Sequence, residues 1–171
     1  PLGTKSNTTP RGSYLDALNP LTVTLGVQNV SFVAQAVDWI PESLFQIVTA
    51  AFRHRGFSFV RILQRCPEFV GNMYEHWVHD PQSMLMLTHE NGVKLSPALQ
   101  KIYQNRLEHD PMDMNRAREI ASSEDPIPVG ILYRNPEVPC YEDLRRAGML
   151  RTAGSIKTSL EAEFDKFTVW P

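Results

Sequence analysis

One cysteine of the sequence stands where chemistry could take place. Cys66 lies in the segment Gln64-Arg65-Cys66-Pro67, directly after a stretch predicted to be a buried strand. In parallel α/β sheets, ligands bind beyond the carboxyl ends of the strands, and a proline beside a cysteine is common at thiolate metal sites. A lone cysteine is also a small apolar residue that is often simply buried. The residues by themselves leave both interpretations of Cys66 open.

The first three of the four histidines after Cys66 raise the question of a zinc or nucleophilic site. His76 and His79 have the spacing to share one face of a helix, and His89 lies further along. Zinc takes four protein ligands, or three and a water molecule, and these spacings match no standard array. A cysteine hydrolase also needs a third group that orients the base, and we identify none. We therefore expect these histidines to lie on the surface.

The N-terminal loop combines a cation with hydroxyl groups. Lys5 lies among Thr4, Thr8 and Thr9, a combination that suits an anionic ligand and equally suits a solvated loop. The sequence contains neither a Gly-x-Gly-x-x-Gly fingerprint nor a P-loop, so no nucleotide motif supports the first interpretation. Further along, the pair His109-Asp110 is predicted to be solvated charge.

The hydrophobic pattern predicts an α/β framework for these residues. Strand 30–34, a helix that begins at Pro41 and stops at Gly56, and strand 57–63 form a βαβ unit with parallel strands. Residues 19–26 stay open between a helix capped by Asn19 and a strand indicated by alternating apolar residues. The other predicted elements are a strand at 84–88, a helix from residue 96, a helix at 114–121, a strand at 127–133 and an amphipathic helix at 159–167.

Composition limits the class of protein. The 171 residues contain 17 Lys and Arg against 19 Asp and Glu, so no charge excess favours nucleic acid or an anionic membrane. No apolar run reaches the roughly 20 residues of a membrane span, and two cysteines fit a reducing cytoplasm. The first methionine is Met73, and we therefore expect that residues upstream of Pro1 are missing.

Several segments, in this order, resemble the β subunit of 2-oxoacid:ferredoxin oxidoreductases. They are Leu2–Pro10, Val30–Ala34, His54–Phe57, Leu63–Pro67 and Ile127–Ile131. The resemblance implies an α/β fold in which residues 1–133, with their parallel βαβ sheet, form the C-terminal part of a thiamine-diphosphate-binding domain. Residues 134–171 would be a C-terminal extension. It also implies that residues 19–26 are helical, against the local alternation.

The resemblance assigns roles to particular residues. Cys66 matches the last cysteine that ligates the family's [4Fe-4S] cluster, whereas Cys140 matches no ligand position. The threonines and lysine of the N-terminal loop, Thr4, Lys5, Thr8 and Thr9, match a loop beside the thiamine and substrate pocket. No catalytic residue is assigned within this chain.

The implied activity is oxidative decarboxylation of a 2-oxoacid, 2-oxoglutarate or pyruvate, to acyl-coenzyme A, with electrons passing to ferredoxin. The partners would be an α subunit in a cytoplasmic hetero-oligomer, ferredoxin, the oxoacid and coenzyme A. The cofactors would be thiamine diphosphate, Mg²⁺ and the cluster, but the family's Cys-x-x-Cys, Gly-Asp-Gly and magnesium-loop motifs are expected upstream of Pro1. The cofactor sites are therefore expected to be incomplete here and the fragment alone inactive. Two alternatives stay open: a non-catalytic α/β interaction domain and a Cys/His zinc-dependent enzyme.

Overall fold

Five strands form one mixed sheet in the computed structural model, which describes residues 3–6, 9–68, 73–90, 92–147 and 153–168. The strands are β1 (Phe32–Val37), β2 (Ser58–Leu63), β3 (Met84–Thr88), β4 (Arg106–Glu108) and β5 (Ile127–Arg134). The helices are α1 (Pro20–Thr24), α2 (Pro41–Arg53), α3 (Glu75–His79), α4 (Pro97–Ile102), α5 (Met114–Ala121), α6 (Tyr141–Arg146) and α7 (Ala153–Asp165). The chain divides into two compact units, residues 1–138 and 139–171, and the sheet belongs to the first.

The order of the strands is β2-β1-β5-β3-β4. β1 pairs in parallel with β2 across the α2 crossover, so the predicted βαβ unit and α/β class are confirmed. β3 pairs in parallel with both β4 and β5, whereas β1 and β5 run antiparallel, a pairing that the sequence analysis did not predict. The carboxyl ends of β1 and β2 therefore lie at one edge of the sheet, and those of β3, β4 and β5 lie at the opposite edge.

Hydrophobic residues cover both faces of the sheet. One core cluster joins α2 to one face, around Phe32 and Ile47, and the other joins α1 and α5 to the opposite face, around Val33 and Ile120. All six residues of β1 are buried, as expected for a central strand that is covered on both sides. Functional groups can therefore be presented at the ends of these strands rather than along them.

The segment left open by the sequence pattern is a helix. The Asn19 side-chain oxygen accepts from the backbone N–H of Leu21 at 3.0 Å, and Pro20 occupies the first helical turn. Leu21 and Leu25, one turn apart, are the buried apolar positions of this segment. The helix implied by the family resemblance is confirmed, and the strand suggested by alternation is wrong because the Asn19 cap decides the local backbone.

Among the described residues, no helix is both long enough and apolar enough to cross a membrane.

Candidate functional site

Cys66 lies just beyond the carboxyl end of β2, as the sequence analysis predicted. The strand ends at Leu63, and the thiol of Cys66 is half-buried and unoxidised. Its position at a strand end is confirmed, while its role as a cluster ligand stays a prediction. The chain around it must be held in place if a metal is to be bound there, because ligand geometry is fixed.

The turn that carries Cys66 is tied to the end of β1. The Asp38 carboxylate accepts hydrogen bonds from the Arg65 backbone N–H at 3.1 Å and from Arg65 Nε at 2.9 Å. The Asp38 backbone N–H donates to the Leu63 carbonyl at 3.0 Å, and the Arg65 guanidinium lies 6.0 Å from the centre of the Trp39 ring. The ion pair is partly exposed, so its contribution is mainly positional.

Three aromatic rings border this edge of the sheet. Trp39 and Tyr74 have ring centres 5.9 Å apart, and Tyr74 and Trp77 have centres 5.6 Å apart. Tyr74 and Trp77 also line a cavity of about 410 Å³, together with Arg61 of β2 and the segment before α1. Burial lowers the pKa of Arg61, which makes it a partly desolvated cation beside the cavity.

The N-terminal loop folds back on itself. The Gly3 N–H donates to the Ser13 carbonyl at 2.8 Å, and the Ser13 N–H donates to the Thr4 carbonyl at 3.0 Å. Lys5 is exposed, Thr4 is half-buried and Thr9 is exposed, while Thr8 lies outside the described residues. No hydrogen bond or ion pair links the Lys5 ammonium to another described residue.

The predicted surface position of His76 and His79 is confirmed, since both are exposed on α3. The same prediction was wrong for His89, which is half-buried with a buried Nε2 atom. In the described part of the chain, no three side chains of His, Cys, Asp or Glu are grouped so that they could hold a metal ion. A complete metal centre is therefore not formed by these residues.

The prediction for His109 was wrong. Its side chain is buried, 8% exposed, with Nε2 3.1 Å from the Leu132 carbonyl oxygen. With His89 and Arg134 it lines a second cavity, of about 830 Å³, at the opposite edge of the sheet. His89, His109 and Arg134 share one sequence feature, since each ends or directly follows a strand. The feature was missed because β4, which precedes His109, has three residues and was not predicted.

Comparison with known proteins covers most of the chain. Residues 98–147 match the family described as the C terminal of the pyruvate ferredoxin oxidoreductase beta subunit. The 2-oxoacid:ferredoxin oxidoreductase subunit beta of a Sulfolobus species is 26% identical over 150 residues, 85% of this chain and 45% of the relative. The 2-oxoglutarate oxidoreductase subunit KorB of Mycobacterium tuberculosis is 38% identical over 68 residues, 40% of this chain and 18% of the relative.

A solved 2-oxoglutarate:ferredoxin oxidoreductase from Magnetococcus marinus has the same fold over 94% of this chain and 49% of its own, with a TM-score of 0.63 and 23% identity. The chain spans less than half the length of the curated relatives. The resemblance inferred from the sequence motifs is confirmed: the chain is related to the β subunits of 2-oxoacid:ferredoxin oxidoreductases and matches the C-terminal region of that family.

Proposed function

We propose that this chain forms part of the β subunit of a 2-oxoacid:ferredoxin oxidoreductase, which decarboxylates a 2-oxoacid oxidatively and passes the electrons to ferredoxin. The names of its relatives support this activity. We propose 2-oxoglutarate as the substrate, because the M. tuberculosis relative acts on it and the similar M. marinus structure holds 2-oxoglutarate, coenzyme A and succinyl-CoA. The partners would be an α subunit, ferredoxin and coenzyme A, in the cytoplasm.

The observation that carries the proposal is the position of Cys66 at the end of β2, on a turn that Asp38 fixes through Arg65. A [4Fe-4S] cluster takes four cysteine thiolates and supplies one-electron transfer when bound. The sequence has two cysteines, and no described group of three donors could hold a metal. Cys66 therefore fits as one ligand of a shared cluster, and this chain does not fit as the holder of a whole one.

The N-terminal loop is proposed to face the substrate. The exposed Lys5 ammonium has no partner among the described residues, and it would pair with a carboxylate of the oxoacid while Thr4, Thr8 and Thr9 offer hydroxyl groups. Residues 1–133 would belong to the domain that binds thiamine diphosphate and Mg²⁺. Replacing Lys5 with Gln is expected to raise KM for 2-oxoglutarate more than it lowers kcat.

Replacement of Cys66 tests the proposal. The subunit, as its gene encodes it, is expressed anaerobically with its α subunit, and iron, acid-labile sulfide and oxoacid-dependent ferredoxin reduction are measured. Cys66→Ser should remove the cluster absorbance and the ferredoxin reduction while subunit assembly persists, because an alcohol is a poor iron ligand. Cys140→Ser is the matched control and should change neither.

Other outcomes contradict the proposal in different ways. Full iron content in Cys66→Ser would overturn the role of Cys66 as a ligand. Stoichiometric zinc that is lost in His76→Ala would favour the zinc-dependent enzyme. A subunit that binds its partner but holds neither iron nor zinc and reduces no ferredoxin would favour the non-catalytic interaction domain.

A further inference from the structure

Three parallel strands deliver polar side chains to one cavity at the edge of the sheet opposite Cys66. His89 directly follows β3, His109 directly follows β4, and Arg134 is the last residue of β5. All three line the cavity of about 830 Å³. The carboxyl ends of parallel strands are where α/β sheets bind ligands, and the proposed function does not use this cavity.

The two imidazoles leave hydrogen-bonding capacity unused. His109 Nε2 lies 3.1 Å from the Leu132 carbonyl, which can only accept, so Nε2 carries the proton. Burial lowers the pKa of His109, and the neutral ring therefore has Nδ1 as an acceptor, which is buried without a partner. His89 packs edge-on against His109, with ring centres 5.9 Å apart, and its Nε2 is also buried without a partner.

Arg134 places a positive charge beside these rings. Arg134 is half-buried, and its guanidinium forms no ion pair with a described residue. Burial lowers the pKa of His89, and the charges of His109 and Arg134 lower it further. The carboxylates that line the cavity, Glu90, Glu108 and Asp110, are exposed, and Asp110 accepts from the Met112 N–H at 2.9 Å. Arg134 is thus a half-buried cation without an ion pair to a described residue, and the carboxylates of the cavity are exposed. Besides burial, Arg116 of α5 lowers the pKa of His109, and Asp110 raises the pKa of both rings.

We propose that this cavity binds a small anion through a carboxylate or phosphate group, with Arg134 pairing its charge and the imidazoles of His89 and His109 contacting its oxygens. Among the described residues, no three side chains of His, Cys, Asp or Glu are arranged to hold a metal ion. The neutral His109 ring uses its N–H on the Leu132 carbonyl, so it must take up a proton at Nδ1 before it can donate to an anion. Binding therefore takes up protons and is tighter at lower pH.

Gly92 provides an independent probe of the same site. A Cβ atom built on Gly92 would lie 2.7 Å from His89 Nε2, too close for the ring to keep its position. The Gly92→Ala substitution would move the His89 ring and leave Arg134 untouched. The variant therefore tests what the position of the His89 imidazole contributes to binding while the charge of Arg134 is kept.

The test is a titration of the chain with sodium phosphate and with sodium acetate at constant ionic strength, followed by the NMR resonances of the five histidine rings. The His89 and His109 resonances should shift saturably, and those of His76 and His79 should not. Acetate should bind more tightly at pH 6 than at pH 8. Saturation by acetate would indicate carboxylate ligands, and saturation by phosphate alone would indicate phosphate groups.

Two variants decide the assignment. Arg134→Gln keeps its backbone N–H bond to the Pro111 carbonyl and should weaken binding about tenfold or more, because a charged hydrogen bond is lost. Gly92→Ala should also weaken it, whereas Arg145→Gln, the same change on exposed α6, should not. The proposal is overturned if neither anion shifts His89 and His109 saturably, or if Arg134→Gln and Gly92→Ala both bind as the unmodified chain does.

Discussion

The two edges of the sheet differ in how their charged side chains are paired. At the β1 and β2 edge, Asp38 receives two hydrogen bonds from Arg65, and the guanidinium also lies near the Trp39 ring. At the β3, β4 and β5 edge, Arg134 has no ion pair with a described residue, and a ring nitrogen of His109 lacks a partner. The first edge is organised to hold a thiol in a fixed position. At the second edge the groups left for a ligand, as proposed above, are a guanidinium and two imidazoles, whereas the buried groups without a partner at the first edge are the indole N–H groups of Trp39 and Trp77.

The two sites lie at opposite edges of the sheet because β5 runs antiparallel to β1. β5 pairs with β1 in antiparallel fashion, with a register shift between Val33 and Ala34. The last backbone pair joins Gln35 to Gly130. Beyond it, the Gln35 side-chain amide donates to the Pro128 carbonyl at 2.7 Å, so a side-chain hydrogen bond continues the contact between the two strands. Without this reversal, Cys66 and Arg134 would lie at the same edge.

The substitution Gly130→Ala lies in β5, the strand that runs antiparallel to β1, and should have the largest effect on the free energy of unfolding. Gly130 has φ +139°, and an added Cβ would lie 2.8 Å from Leu87 Cβ. We expect a loss of about 3 kcal/mol in the free energy of unfolding, from about 1–3 kcal/mol of backbone strain and a similar overpacking cost. Urea denaturation followed by circular dichroism measures it.

Gly154→Ala is the matched control for that experiment. Nothing lies within 4 Å of the position of its Cβ, and it sits in helix α7, so alanine should be neutral or slightly stabilising. If Gly130→Ala were as stable as Gly154→Ala, β5 would not be packed against β3 as described, and the two edges would not be separate.

The first edge could be predicted from the sequence to a greater extent than the second. Cys66 belongs to a short contiguous motif after a strongly apolar strand, which was predicted at 57–63 and is β2 at Ser58–Leu63, and α2 begins at Pro41 as predicted. These features depend on neighbouring residues. Local signals of this kind, such as helix caps and apolar periodicity, can be recognised in a single sequence, although alternation alone was misleading at residues 19–26.

The second edge depends on contacts between residues far apart in the chain. His109 is buried because its ring meets the Leu132 carbonyl, 23 residues away, and nothing in the polar sequence around it indicates this. The direction of β5 depends on its pairing with β1, about a hundred residues earlier in the chain, and both directions suit an apolar strand. Periodicity does not indicate which distant strands pair, so the cavity could not be predicted without the order and direction of the strands.

The buried histidines predict that stability falls in mild acid. Burial is the main cause that lowers the pKa of His54, His89 and His109 in the folded chain, with Arg134 lowering the first two further. The unfolded chain, with ordinary imidazoles near 6.5, then binds more protons than the folded chain. The free energy of unfolding is therefore highest above that pH and decreases as pH falls through it, by at most about 1.4 kcal/mol per pH unit for each ring.

His109→Gln tests this pH dependence at a single ring. The Gln side-chain amide can still donate to the Leu132 carbonyl, but it cannot take up a proton. Unfolding free energies between pH 5 and pH 8 should have a smaller slope in His109→Gln than in His76→Gln, which removes an exposed imidazole from α3. Equal slopes in the two variants would contradict the burial of a neutral ring at the second edge.

The smallest effect on the free energy of unfolding is expected at Asp38, whose carboxylate accepts two hydrogen bonds from Arg65 at the first edge. Asp38→Asn keeps one acceptor oxygen but loses the charge and one of the two bonds from Arg65, so the free energy of unfolding should fall by about 1 kcal/mol. Glu119→Gln is the control, because it breaks the exposed Arg116–Glu119 pair at 2.7 Å and should cost less than about 0.5 kcal/mol.

If Asp38 positions the turn that carries Cys66, Asp38→Asn should also change the reactivity of the thiol, which a change in stability alone would not do. If Asp38 holds the turn of Cys66 through Arg65, the thiol should react faster with a water-soluble disulfide reagent in Asp38→Asn, because the turn is freer to expose it. Glu119→Gln should leave the rate unchanged, and the rate of Cys140, measured in Cys66→Ser, should not depend on Asp38. A Cys66 rate that is the same with and without the Asp38 carboxylate would mean that the sheet edge itself, and not this ion pair, fixes the thiol.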